Sequence, residues 1–254
     1  MSENAQIVVS SVNKLVSTRF GMMLVNEFDT VVGRSLQAYG TYFDSELEVF
    51  SQIIKPGMVV ADIGANIGAH TIALARLTGP AGAVIALEPQ RIAHQLLCAN
   101  VALNSFLNVH TLNVGAGAEC KYMQSTELDY SKPNNFGGFD ISNAKHLANS
   151  SSIQIITMDS MFSNTNIGFI KIDVEGHEAD VIRGSKNIIE KSRPAMYIEN
   201  DRQQKSKELL SLISSFGYKT YWHIAPFYNQ DNFNRNPEKI HTEGLFLTKE
   251  GLMI

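Results

Sequence analysis

Three short apolar runs, at 59–63, 83–87 and 109–114, follow one another with helix-patterned segments between them. The first two are apolar nearly throughout rather than alternating, as in strands covered on both faces. The segment between the second and third runs, 91–103, has apolar residues at Ile92, Leu96, Leu97, Ala99 and Leu103, which fall on one face of a helix. A second helix fits 69–77, stopped by Gly79-Pro80. Strand, helix, strand, helix, strand reads as parallel pairing through crossovers. The fold class this predicts is α/β, a doubly wound and mostly parallel sheet.

The alternation resumes downstream. Strands are expected at 153–157, 167–173 and 195–199, a helical segment interrupted at Gly184, and an amphipathic helix over 206–216 stopped by Gly217. Residues 218–224 and 245–248 read as a final antiparallel pair, with the Asn-rich loop 226–243 as a lid over one end. Residues 119–150 are polar and glycine-rich, and are expected to be a structureless, functional loop. A helix over 45–54 ends at Pro56-Gly57. This divides the chain into a small strand-and-helix extension, 1–55, packed on a main domain over 56–254.

At 254 residues the chain suits one large core. Twenty-one Lys and Arg against 25 Asp and Glu give a net charge of -4, so bulk nucleic-acid binding is not expected. The two cysteines, Cys98 and Cys120, lack metal-ligand spacing and make no disulfide framework. With no secretory-type N-terminus and no apolar stretch long enough to span a bilayer, a cytoplasmic protein is the expectation. Monomer and homo-oligomer both stay open.

Asp62-Ile63-Gly64-Ala65-Asn66-Ile67-Gly68 joins a strand to a helix. Gly64 allows a tight turn with positive φ, and Gly68 allows close approach of the helix. Such a loop sits where open α/β sheets bind nucleotides. Asn66 occupies the second glycine position of the dinucleotide fingerprint, leaving less room for a pyrophosphate. Asp62 repels phosphate and suits a cation, while Glu88, ending the next strand before Pro89, can accept from both ribose hydroxyls. The set describes a nucleoside without a diphosphate, and S-adenosylmethionine fits it. An NAD site is the alternative, and a ligand-free glycine turn is the bland one.

Asp173-Val174-Glu175-Gly176-His177-Glu178 follows a later strand and is expected at the same sheet edge. A hydroxyl is a poor nucleophile until its proton is removed or a metal polarises it. Asp173, Glu175 and His177 are candidates for that work, with Glu199 on the next strand end. Asp173, Glu199 and Asn200 also offer oxygens suited to a hard cation such as magnesium. The bland alternative is helix capping and pairing with Lys171 or Arg183. His223 is a further candidate to face an acceptor, whereas Trp222 fits core as well as platform.

These residues resemble a known family. VVADIGANIG at 59–68 is similar to the first motif of class I S-adenosylmethionine-dependent methyltransferases. FIKIDVEGHE at 169–178 narrows the resemblance to the FkbM methyltransferases, together with GTYFDSE at 40–46, NFGG at 135–138 and ITMDS at 156–160. The resemblance implies a Rossmann-like, seven-stranded sheet with an antiparallel last strand. It implies a donor site formed by Asp62, Gly64, Ala65, Asn66, Gly68 and Thr71, with Glu88 and Pro89 at the ribose, Asn113 and Val114 near the adenine, and Glu46 contributed by the extension. It implies Asp173, Glu175 and His177 at the transfer site, and O-methylation of a saccharide or natural-product acceptor, a small molecule or glycan. Related sugar methyltransferases include metal-dependent ones, which keeps a divalent cation open. Phe139-Asp140 departs from the family pattern, which has a small residue after the glycine pair. An NAD-dependent oxidoreductase and a non-catalytic binder of S-adenosylmethionine are the rival functions.

Overall fold

The computed structural model describes residues 7–8, 11–142, 150–240 and 248–253. The chain opens with strands β1 (Ile7–Val8), β2 (Asn13–Thr18) and β3 (Gly21–Asn26), which pair antiparallel in a small sheet, followed by helices α1 (Val32–Tyr39) and α2 (Asp44–Ile53). The alternating core then runs β4 (Val59–Ile63), α3 (Ala69–Thr78), β5 (Ala83–Leu87), α4 (Arg91–Leu103) and β6 (Val109–Leu112). A second small sheet holds β7 (Gly115–Ala116), β8 (Lys121–Thr126) and β9 (Ser150–Ile156), and leads into α5 (Met158–Phe162). The core resumes with β10 (Ile167–Ile172), α6 (Glu178–Arg183), α7 (Lys186–Ser192), β11 (Ala195–Glu199), α8 (Gln203–Ser215), β12 (Tyr221–Pro226) and β13 (Thr248–Met253).

The central sheet has the order β12-β13-β11-β10-β4-β5-β6. Five strands, β11, β10, β4, β5 and β6, are parallel. β13 runs antiparallel to both β11 and β12. Strand order reverses between β4 and β10, which opens a crevice beyond their carboxyl ends.

Both faces of the sheet are covered, as the continuous apolar runs require. Ile63, Ile85, Ile170, Ile172 and Ile198 pack with Val181, Ile182, Ile188, Ile189 and Ile213 of α6, α7 and α8. On the other face Val60, Val84, Phe169 and Tyr197 pack with Leu47 and Phe50 of α2 and Leu74 of α3. Each such side chain, fully buried, contributes about 1.5–3 kcal/mol. Val16, Met23 and Val25 of the N-terminal sheet share a cluster with Ile72 of α3 and Leu96 of α4. Among the described residues of 1–55, α2 packs on the second face of the main sheet and the N-terminal sheet packs on α3 and α4.

Alternation along the strands sets the polar residues of the crevice. With Val60, Phe169 and Tyr197 on the α2 face, Asp62, Lys171 and Glu199 follow two residues on, along the same face, and Asp173 comes two residues after Lys171, just past the end of β10. The register pairs Lys171 with Asp62 on one side and with Tyr197 on the other. Adjacent parallel strands thus bring acid and base side by side.

One expectation is corrected. The polar stretch 119–150 is not structureless: Lys121–Thr126 forms β8, antiparallel to β9. Half of its six residues are exposed and only Ser125 is buried, so no apolar period marked the strand. Gly184 does separate two helices, and the reason is contact: a Cβ there would lie 2.0 Å from the Gly117 carbonyl oxygen. The Asn-rich loop, described up to residue 240, is tied to the N-terminal helices. Asn229 donates to Asp44, while Asn234 and Asn236 donate to the Ala38 carbonyl at the end of α1. These amides satisfy helix-terminal carbonyls and fix the loop. Of the 245–248 strand expectation, 245–247 lie outside the described residues, and β13 begins at Thr248.

Candidate active site

The crevice widens into a cleft of about 660 Å³, lined by residues from the ends of β4, β5, β10 and β11 and from the segments over them. That volume suits a nucleoside-sized ligand with a second reactant beside it.

One wall is the glycine loop. The N–H groups of Gly64 and Ala65 both donate to the Leu87 carbonyl, at 3.0 and 2.9 Å, clamping the loop to β5. Gly64 has φ +82°, and a Cβ on it would lie 1.8 Å from the Asp173 carbonyl oxygen. Glycine is thus demanded by the approach of β10's end, not by room for a ligand. Asn66 adopts φ +51°. Its N–H points at Glu88 Oε2, at 2.8 Å, and the Gln90 N–H reaches Oε1 at 2.7 Å. Gly68 meets Leu97 of α4 instead of the sheet.

Glu88 is 3% exposed and lines the cleft. Burial pushes its carboxyl up to about 7, against the two backbone N–H bonds that lower it. Each carboxylate oxygen has a further lone pair beyond the one these bonds use. Two vicinal hydroxyls match that capacity, so the site fits the ribose of S-adenosylmethionine.

Gly64, Ala65, Asn66, Glu88, Pro89 and Val114 all line the cleft. The other expected donor residues stand behind it. Asp62 is fully buried, accepts from Thr71 Oγ1 at 2.6 Å, and lies 3.5 Å from Lys171 Nζ. Its charge therefore faces an internal ammonium. Asn113 donates to the carbonyls of Glu88 and Pro89 and shapes their turn. Glu46 is fully buried beside His70, at 3.3 Å, and it is His70 that lines the cleft.

The opposite wall brings together Asp173, Glu175, His177 and Glu199. Lys171 Nζ bridges Asp62 and Asp173, 3.3 Å from the latter. Arg202 donates to Glu175 at 2.6 Å. Glu175 has φ +54°, a strained conformation for a non-glycine residue. His177 Nε2 lies 3.0 Å from Asp140 Oδ1. Oxygens of Asp173, Glu175 and Glu199 come within 4.8 Å of one another, the spacing of a cation site. Asn200 is not part of that group: its side chain donates to Ser206 on α8 and is absent from the cleft lining.

A third boundary comes from residues 127–142. Phe136 stacks on Tyr130 with ring centroids 4.3 Å apart, and Gln90 bonds both, receiving from the Tyr130 hydroxyl and donating to the Phe136 carbonyl. The Thr30 N–H donates to the Asn134 carbonyl, which ties the segment to the N-terminal region. Gly137, Gly138, Phe139 and Ile141 then reach the cleft. Tyr42, Phe43 and Phe227 add an aromatic side, the last two 4.3 Å apart.

Sequence reasoning missed Asp140, His70 and this aromatic side, and treated Lys171 only as a pairing partner. A lysine inside the apolar run 167–173 was a signal for the last, since a buried cation needs an anion. Nothing local marked the others. His223 shares a hydrogen bond with the Tyr197 hydroxyl at 2.9 Å and does not line the cleft. Trp222 is neither core nor cleft, being 56% exposed on the edge strand β12.

Comparison with known proteins follows the same lines. The FkbM methyltransferase domain matches residues 62–220, more than half of the chain. No curated protein matches the sequence. Among solved structures, methyltransferase FkbM from Methylobacillus flagellatus superposes with a TM-score of 0.52 at 16% identity, over 83% of this chain and 51% of that one. The chain therefore spans about half the length of that protein. The precorrin-6y C5,15-methyltransferase from Geobacter metallireducens superposes with a TM-score of 0.50 at 12% identity, over 84% and 85% of the two chains. At these identities the likeness is one of fold. No helix among the described residues is long and apolar enough to cross a membrane.

Proposed function

The chain belongs to the FkbM family of S-adenosylmethionine-dependent methyltransferases, and on that premise we propose that it methylates a hydroxyl oxygen of a saccharide or glycosylated natural product. The observation that carries this reading is the division of one cleft. A buried carboxylate with ribose-accepting capacity stands on one wall, and an acid and histidine cluster stands on the other. When bound, S-adenosylmethionine supplies a methyl group on a sulfonium sulfur.

The chain's own residues do the rest. Glu88 accepts from the ribose hydroxyls, with the Gly64–Ala65–Asn66 turn and Pro89 against the nucleoside and Val114 near the adenine. Asp62, Gly68, Thr71 and Asn113 hold these groups from behind, and Glu46 stands against His70, which lines the cleft beside them. Asp173 and His177 orient the acceptor hydroxyl and take up its proton, a role that removes the main obstacle to oxygen nucleophilicity. Glu175 and Glu199 support them. Tyr42, Phe43 and Phe227 offer apolar faces on which a sugar ring can lie. The free Cys98 and Cys120 agree with a reducing, cytoplasmic setting.

A second reading places a divalent cation among Asp173, Glu175 and Glu199, favoured by the spacing of their oxygens. Against it, two of the three already face protein cations, Lys171 and Arg202. We therefore favour transfer without a metal.

The test is titration with S-adenosylhomocysteine and with NAD, followed by a labelled-methyl assay over a panel of hydroxylated sugars. S-adenosylhomocysteine alone should bind, and label should enter an oxygen ether. NAD binding without S-adenosylhomocysteine binding would make the chain an oxidoreductase. Donor binding with no transfer to any acceptor would make it a non-catalytic binder.

A further inference from the structure

The segment 127–142 reaches the acid and histidine cluster at one point. His177 Nε2 lies 3.0 Å from Asp140 Oδ1, and both side chains are 24% exposed. The two residues are far apart in sequence.

We propose that Asp140 is a positioning residue for the transfer site: it accepts a hydrogen bond from Nε2–H of His177, fixes the ring, and leaves the Nδ1 lone pair to receive the acceptor's hydroxyl. The proposal rests on the methyl-transfer reading of the cleft for its purpose, but its geometry stands without that reading.

Asp140 is itself held. Its Oδ1 accepts from the Ser142 N–H at 2.8 Å and from the Ser142 hydroxyl at 2.6 Å. Burial acts to raise its carboxyl, but the Ser142 and His177 bonds outweigh it and keep the group below the ordinary carboxylate range. The stacked Tyr130–Phe136 pair and Gln90 anchor the same segment a few residues earlier. A carboxylate fixed from two sides can fix an imidazole in turn, and a histidine's second nitrogen is set by the bond its first one makes.

The other charged groups around the ring make no hydrogen bond to Nδ1. Asp180 Oδ2 is 3.7 Å from Nδ1, too long for a hydrogen bond. Glu178 is turned to the N–H groups of Val174 and Gly176. Glu175 is engaged by Arg202, and Lys205 donates to the Gly176 carbonyl. Asp140 is therefore the group on the ring's Nε2 side, and it comes from the segment that covers the cleft. The histidine is oriented only while that segment lies in place.

The experiment is proton–nitrogen correlation spectroscopy of the histidine rings in the full chain, with His177→Asn to assign the signal. Wild type should show a His177 proton on Nε2, shifted downfield and slow to exchange. Asp140→Ala should lose that signal and Asp140→Glu, which keeps the carboxylate, should regain it. Melting curves of both variants check that they fold. A proton on Nδ1 in wild type, or an Nε2–H signal unchanged in Asp140→Ala, would overturn the proposal. S-adenosylhomocysteine titration runs in parallel and should give affinities within about twofold for wild type and Asp140→Ala. A large loss confined to the variant would place Asp140 at the donor and overturn it as well. Failure of wild type to bind S-adenosylhomocysteine would sink the methyltransferase reading, while the ring spectra would still decide the Asp140–His177 contact.

Discussion

The wall of the cleft that carries Glu88 comes mainly from one stretch of chain, residues 63–90, with Val114 beside it, whereas the opposite boundary gathers Tyr42, Phe139, Asp173, His177, Glu199 and Phe227. The first is mostly backbone, set by glycines and positive φ. The second is mostly side chains, held by ion pairs across neighbouring strands and loops. A donor site of the first kind can be shared by proteins with different acceptors, because its geometry is local. An acceptor site of the second kind changes whenever one distant loop changes.

The substitution that should blur this division most is Gly64→Ala, because Gly64 joins the two walls. A Cβ there meets the Asp173 carbonyl oxygen at 1.8 Å and forces a left-handed residue. We expect a loss of about 3–5 kcal/mol, read as a large fall in melting temperature together with donor binding. His177→Asn sharpens the division from the acceptor side. Methyl transfer to an acceptor identified by the screen should drop about a hundredfold or more, with S-adenosylhomocysteine affinity nearly unchanged. Glu88→Ala is its counterpart on the donor side. Loss of two charge-assisted hydrogen bonds should weaken S-adenosylhomocysteine roughly tenfold to a hundredfold.

A pH series separates the walls more gently. The Glu88 carboxyl is raised to about 7 in the free protein, and ribose hydroxyls favour its ionised form. Affinity for S-adenosylhomocysteine should therefore fall about tenfold from pH 8 to pH 6. The stability sign is opposite. A carboxyl raised on folding contributes stability that is fully present below about 4.5 and is lost as pH rises through about 7. The melting-temperature gain on adding the ligand should accordingly be larger at pH 8 than at pH 6. The smallest expected effect is that of chelation. With Lys171 and Arg202 already facing Asp173 and Glu175, EDTA should leave transfer unchanged, and a magnesium-dependent rate would restore the cation reading.

The contrast between the walls also explains what the sequence revealed. The parallel core was legible because runs such as Val59–Ile63 and Ala83–Leu87 are apolar on both faces, a signal carried within each strand. The glycine loop and Glu88 were legible because they sit at the ends of those runs. β8 was not, since its exposed residues alternate with few buried ones. Asp62 looked like a charge at the cleft mouth, but strand register places it beside Lys171, and register is not written in any one strand. The Asp140–His177 contact and the Tyr42–Phe43–Phe227 side required three-dimensional closure of segments far apart in sequence.

The most direct test of the cleft is calorimetric titration of the intact chain with S-adenosylhomocysteine, run beside the same titration of Glu88→Ala. Saturable binding by wild type, weakened at least tenfold in the variant, is the expected result. Equal affinity in both proteins would remove Glu88 from the ribose, and no binding to either would remove the donor from this cleft.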